Sequence, residues 1–400
     1  LRRFRELRGM TQAELARQVG VQRATFTQWE SGRHMPIDER LRELDKLLGA
    51  DGELIAAAGQ GRPAQRPVLL DGLQPATEGG RSVLRVLRET RRAFLDQLRY
   101  DDSDLIGWRH NLVQSDEPPS VLSTAYGLKV LALLGGPDGR TPAVAEYVLR
   151  RCVRSEDGRL MGWVSRTQTR PRMEATGPAL DALLHTGVPI PVDDVERMLR
   201  GLVDDTSRER PFILATGLEP LLRVAPDSNL AAELVKALLD TRIERDDVLL
   251  WPEKKRLHRD QPLLAASVVH TARAVTVLRD APSELVGDAV TSAEQWLADV
   301  DDVNGVSEVI RRRLDTDRVE ELSIDHFTSA WVVRALAGGE APYRRQIQRA
   351  LDYVWARYHE PSHFWAWGNG DVPVWMLADA VAALQDTALA LSSAPIMDSG

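Results

Sequence analysis

The chain has 400 residues, 43% of them apolar and 28% charged, and a formal net charge of −8. This length exceeds what a single core usually organises and predicts two domains; the composition is that of a globular chain, and the acidic balance excludes a general nucleic-acid binder. No apolar run of about 18 residues and no apolar leader is present, which predicts a cytoplasmic location.

Charge is unevenly placed. Residues 1–35 hold seven arginines against three glutamates, a local basic end suited to one docked DNA-reading element. Thr11 with Glu14 three residues later forms a capping-box pattern, and Leu15, Ala16 and Val19 supply an apolar face, so a helix begins there. Gly20 predicts a left-handed helix end that returns Val21 to the core. A second helix follows, turning Ala24, Phe26 and Trp29 partly inward and leaving Gln22, Arg23, Thr25, Thr27 and Gln28 outside; Gly32 ends it. Residues 37–59, IDERLRELDKLLGADGELIAAAG, predict one or two more amphipathic helices.

With Thr11, Gln12, Glu14, Leu15, Ala16, Gly20, Val21, Trp29, Glu30, Gly32 and Pro36 in place, residues 1–58 resemble the lambda-repressor-like helix-turn-helix domains of the XRE type. The resemblance implies that the second helix enters the major groove of double-stranded DNA, where glutamine can pair with adenine and arginine with guanine. It also implies that Gln12 and Arg33 hold phosphate, which sets register without reading sequence, and that the chain works as a homodimer on a palindromic operator. Residues 59–80, rich in glycine and proline, read as a linker and hinge.

From residue 81 the chain repeats. Helices rich in small residues recur near Thr124, Ala175, Ala215, Ala266, Thr328 and Leu377. Each is preceded by a charged amphipathic helix, at 82–99, 142–154, 192–205, 229–242, 283–299 and 343–358. The charged helices have a solvated face and the others are apolar nearly all round, so the first set belongs outside and the second inside. Six such hairpins close into a ring, which hides the apolar ends that an open stack must cap. The fold class expected is therefore all-α: a small bundle, then an (α/α)6 toroid over 81–390 and a flexible tail at 391–400. A tetratricopeptide array, with its period of about 34, fits poorly.

Trp108, Trp163 and Trp251 stand ahead of three inner helices and Trp365 and Trp367 ahead of the last, while the third and fifth pairs offer Phe212 and Phe327. With these loops the body resembles the terpenoid-cyclase and protein-prenyltransferase superfamily. The chemistry of that superfamily does not carry over residue by residue. Asp299-Val300-Asp301-Asp302 matches the D-x-D-D acid of class II cyclases but follows an outer helix and reads as a solvated loop. Cys152, the only cysteine, falls on an outer helix with no matching histidine for prenyltransferase zinc. His359–His363 spells H-E-x-x-H, yet Pro361 denies it the helix that would put both imidazoles on one face, and it reads as a helix C-terminus. His185 and His270 read as ordinary helix residues. No metal, cofactor or catalytic set is called for. The function expected is a DNA-binding transcriptional regulator whose toroid senses a small apolar or aromatic ligand, with the five tryptophans at one mouth of the ring; packing between hairpins is the competing role for those rings. A toroidal enzyme acting on an isoprenoid, regulating its own expression, and a protein-binding scaffold addressed to DNA are the alternatives.

Overall fold

A computed structural model describes residues 1, 4–5, 8–21, 23–30, 38–50, 54, 83–100, 106–113, 117–135, 139–165, 169–204, 208–245, 247–255, 265–304, 307–313, 319–337 and 343–393. The linker at 59–80 lies outside them. No helix among the described residues is long and apolar enough to cross a membrane.

The N-terminal unit contains helices α1 (Gln12–Gln18), α2 (Arg23–Glu30) and α3 (Asp38–Leu48). At the start of α1 the Thr11 hydroxyl accepts from the Glu14 amide while the Glu14 carboxylate accepts from the Thr11 amide at 2.8 Å, so two orphan donors are satisfied reciprocally. Gly20 takes φ +66° and the Val21 amide reaches back to the Ala16 carbonyl at 2.9 Å, the left-handed exit the sequence requires. Leu15, Val19, Phe26, Leu44 and Leu48 are essentially inaccessible and form a core separate from that of the body.

The body runs in pairs. Helices α4 (Val83–Asp96) and α5 (Val121–Leu133) are followed by α6 (Thr141–Arg150) and α7 (Met173–His185), then α8 (Val192–Leu202) and α9 (Pro211–Val224), then α10 (Asn229–Leu239) and α11 (Val268–Leu278). The short α12 (Ser283–Val286) leads into α13 (Ala289–Asp299), paired with α14 (Thr328–Ala337); α15 (Arg344–Ala356) and α16 (Val374–Ser393) end the series. The helix α16 runs on past residue 390, into what the sequence reads as a tail; residues 394–400 are not described.

Around the interior, α5 packs on α7, α7 on α9, α9 on α11, α11 on α14, α14 on α16, and α16 back on α5. The ring is closed. Each of α6, α8 and α13 wedges between two inner helices from outside. Burial follows the same division: Ser123, Thr124, Ala125, Leu128, Val130 and Leu131 of α5 are all buried, whereas α8 buries only Val195, Met198 and Leu199. Further bonds seal the seam between first and last pairs. The Leu112 amide donates to the Val372 carbonyl at 3.0 Å, the Val374 amide to the His110 carbonyl at 3.0 Å, and Asn111 Nδ2 to Asp371 Oδ1 at 2.7 Å.

Two-stranded hairpins, which the sequence reading took as plain loops, follow five of the outer helices. They are β1 (Arg99–Tyr100) with β2 (Ile106–Gly107), β3 (Val153–Arg154) with β4 (Leu160–Gly162), β5 (Ile243–Arg245) with β6 (Val248–Leu250), β7 (Ser307–Arg313) with β8 (Val319–Asp325), and β9 (Tyr358–His359) with β10 (Phe364–Trp365). Most are two or three residues per strand, too short for an alternating pattern to show in the sequence.

Close approach of inner helices depends on small residues. A methyl group at Gly177 of α7 would run into the backbone carbonyl of Thr216 on α9, which no rotamer change can relieve. Gly177→Ala is therefore expected to destabilise the body by about 1–3 kcal/mol, read as a lowered midpoint in thermal or denaturant unfolding.

Candidate DNA-reading face and axial site

On the reader, α2 turns Phe26 into the core and half-buries Trp29, with their rings at 6.0 Å, and leaves Arg23 and Thr27 exposed. Glu30 is the anchor behind it: its carboxylate, wholly buried, takes Arg5 Nε at 2.6 Å and Gln12 Nε2 at 2.7 Å. Thr27 in turn donates to Gln12 Oε1 at 3.3 Å. Gln12 thus ties α1 to α2. Gln22 and Arg33 lie outside the described residues, as do the side chains of Thr25 and Gln28.

The tryptophans do not line a mouth. Trp108, Trp163, Trp251 and Trp365 are fully buried in the seams between helices, so the ligand-facing role expected of them is corrected to one of packing. Three indoles donate to carbonyls near the ends of the preceding outer helices: Trp108 Nε1 to Phe94 at 2.9 Å, Trp163 Nε1 to Val148 at 2.7 Å and Trp251 Nε1 to Leu238 at 2.9 Å. The same residues lock onto the next inner helix, where the Trp163 and Trp251 amides donate to Thr176 Oγ1 at 2.9 Å and Thr271 Oγ1 at 3.2 Å. Trp108 also stacks on Phe94 with centroids 4.6 Å apart, worth about 0.5–1.5 kcal/mol beyond its burial. A large amphipathic ring that reaches one polar partner is an efficient pin between an outer and an inner helix. Of the five tryptophans singled out from the sequence, Trp367 alone is half-buried, against Phe327, Trp375 and Arg357.

Other sequence candidates also resolve into structure. His359 to His363 form the turn between β9 and β10, not a helix end, with His363 at φ +59°; His359 Nδ1 meets Ser362 Oγ at 2.9 Å, and the His363 carbonyl accepts from Thr90 Oγ1 at 2.8 Å. Asp301 and Asp302 are exposed after α13. Cys152 sits just past α6, its thiol pushed up by burial. Among the described residues no group of three acidic, histidine or cysteine side chains is placed to hold a metal.

What the structure assembles instead is a charged axis. Lys129 of α5 binds Asp181 of α7 at 2.7 Å and Glu219 of α9 at 2.8 Å; Arg334 of α14 lies 4.0 Å from Glu219 and 3.1 Å from Asp386 of α16. Trp331 Nε1 donates to Asp379 Oδ2 at 3.0 Å. Lys129–Glu219 and Glu219–Arg334 join helices that are not ring neighbours, and only the axis brings such helices together. Lys129, Glu219 and Arg334 are largely buried but not sealed, with side-chain exposures of 13%, 17% and 11%. At the far end of α7, His185 Nδ1 and Arg223 reach Asp181 at 3.2 Å each.

Burial alone would raise the Asp181 and Glu219 carboxyls, but Lys129, with His185 and Arg223 at Asp181 and with Arg334 and Arg273 at Glu219, outweighs it and holds both below the ordinary range. Asp379 differs. Burial pushes it up to about 6 against the opposing pull of Arg334, Arg273 and Lys129, and burial drives Tyr126 beside it up to about 12. Sequence reasoning missed this site although a signal was present: each inner helix, otherwise largely apolar and small, carries one or two charges, among them Lys129, Asp181, Glu219, Arg273, Arg334 and Asp379.

Since Asp379 holds its proton in the folded state to about pH 6 and loses it near pH 4 when unfolded, its contribution to stability declines as pH rises between those values and is flat above. Asp379→Asn, which keeps an acceptor for Trp331, is expected to raise stability by roughly 1–3 kcal/mol at pH 7.5 and to match the parent at pH 4, measured by denaturant titration at each pH.

Comparison with known proteins agrees with the two-part architecture. Residues 1–58 match the family described as "Helix-turn-helix domain". No curated protein is significantly similar to the chain in sequence. Among solved structures, a family 76 glycoside hydrolase from a bovine Bacteroides thetaiotaomicron strain superposes with a TM-score of 0.50 at 9% identity, over 78% of this chain and 78% of that one. A family 76 glycoside hydrolase (mannosidase) from Bacteroides thetaiotaomicron VPI-5482 gives 0.49 at 10% identity, over 77% of this chain and 98% of its own. The first of these neighbours narrows the expected resemblance to terpenoid cyclases and prenyltransferases to the architecture alone: the chain is a helix-turn-helix domain followed by an α/α toroid.

Proposed function

We propose that the chain is a sequence-specific DNA-binding transcriptional regulator, working as a homodimer on a palindromic operator, whose toroid takes a small polar molecule on its axis. The matched helix-turn-helix domain carries this reading: α2 is braced from behind by Glu30 and Gln12 while Arg23 and Thr27 stay exposed. That is the arrangement a recognition helix needs, rigid on its inner face and polar on the outer. The charged axis replaces the apolar ligand expected from the tryptophans with a polar one. Occupancy shifts operator affinity only if the ligand binds two arrangements of the chain unequally.

Replacing Gln22 and Gln28 together by alanine is expected to abolish specific footprints on genomic DNA, since each base contact is worth about 1–3 kcal/mol. The unfolding midpoint should stay nearly unchanged, since the sequence pattern puts both glutamines off the apolar face and substitutions away from a core shift stability by about 0.5 kcal/mol or less. Footprints that survive the double substitution would remove the recognition-helix assignment.

One observation favours an enzyme as the second reading. Asp379 is raised to about 6 while Glu219 is depressed, the division of proton affinity that an acid and its partner carboxylate use, and the neighbour in fold is a glycoside hydrolase. Incubation with a panel of nitrophenyl glycosides separates the two. The regulator reading predicts no turnover; release of nitrophenol that is lost in both Asp379→Asn and Glu219→Gln would establish the enzyme instead.

A further inference from the structure

Arg273 of α11 stands apart from the other cations of the axis. Lys129, Arg223 and Arg334 each hold a carboxylate, and so does Arg279 one turn beyond α11, at Glu294. Arg273 is only 8% exposed, yet among the described residues no carboxylate lies within ion-pair reach of it, and its buried Nε has no hydrogen-bond partner. Its one bond runs from Nη2 to Thr216 Oγ1 at 2.8 Å. Its guanidinium carbon lies over two aromatic rings, 4.2 Å from the centre of Phe212 and 4.8 Å from that of Trp331. The stack fixes the plane and leaves the edge for an acceptor. Glu219 and Asp379 act on it only from beyond ion-pair contact, and a buried cation with no partner in contact is costly unless something supplies the negative charge.

The surroundings favour the same sign. Phe212, His270 and His326 form a ring cluster with centroids 5.6–6.3 Å apart. They stand at or just before the N-terminal ends of α9, α11 and α14, where the helix dipoles favour an anion. From the orphaned, ring-clamped Arg273 at these converging helix starts we infer that the axial ligand carries an oxyanion, a carboxylate or a phosphate, seated on the edge of the Arg273 guanidinium. Two oxygens can take the Nε and Nη2 hydrogens side by side, a geometry that guanidinium offers and ammonium does not. The inference rests on the axis being a ligand site and names the chemical class it accepts.

The test uses the full chain in Tris chloride, titrated with inorganic phosphate and separately with malonate. Either anion, at saturation, is expected to raise the unfolding midpoint by about 2 °C or more; a response to phosphate alone assigns a phosphoryl ligand, and to malonate alone a carboxylate. Arg273→Met, similar in length and able to lie between the two rings, should lose the response, and Arg273→Lys should bind about tenfold more weakly. Arg85→Met, on the exposed face of the outer helix α4, should respond as the parent does. No response to either anion, or a rise shared by Arg273→Met as a general salt effect, overturns the inference. Measuring operator binding in the same titrations keeps the two readings distinct: an anion that binds through Arg273 without altering DNA affinity upholds the site and removes the sensor.

Discussion

Contact between α16 and α5 is the constraint on which the body depends. Inner helices this apolar cannot end an open stack without exposing a greasy flank. Bringing the last one against the first removes both flanks at once. The Gln385 side chain on the Leu133 carbonyl, the bonds joining His110, Asn111 and Leu112 to the segment 371–374, and Thr90 on the turn at His363 all lie across this one join. Chain connectivity does nothing for them, since their partners are some 250 residues apart. Closure is therefore a cooperative property of the whole ring.

Closure also decides what the centre must be. Helices opposite one another across the ring meet only there, and their charges can be satisfied only by one another. Lys129 serves two carboxylates from two helices, and Arg334 shares one of them, Glu219, and adds Asp386. Breaking such a buried set from one side leaves a bare charge, which is far more costly than the pair is favourable. The network therefore fixes the angular order of the inner helices more than it stabilises them, and it leaves Arg273 and Asp379 as the two groups whose charge the protein itself does not balance well. That polar centre, with Trp108, Trp163, Trp251 and Trp365 buried in the seams, is the reason the proposed ligand is polar rather than aromatic.

Much of this was legible in the sequence. Thr11, Glu14, Gly20 and Val21 specify the start of α1 and the turn after it through local rules that need no tertiary context. The six pairs follow from the contrast between one-sided and all-round apolar helices, and the closed ring from the need to hide the second kind. The tryptophans were legible as a pattern but not as a role, because burial in a seam and exposure at a mouth write the same letters. The short hairpins left no periodic trace. The axial charges were visible as single polar residues in apolar helices, but their meeting is a consequence of the ring: Lys129 and Glu219 are neighbours only after six hairpins have closed.

Hydrogen–deuterium exchange on the full chain tests closure most directly. If the ring is closed, amides in α5 and α16 are protected to the same degree as those in α9 and α11, and all open as one cooperative unit. Exchange in α5 and α16 that is orders of magnitude faster than in α9 and α11, as at the frayed ends of an open superhelix, would contradict the account.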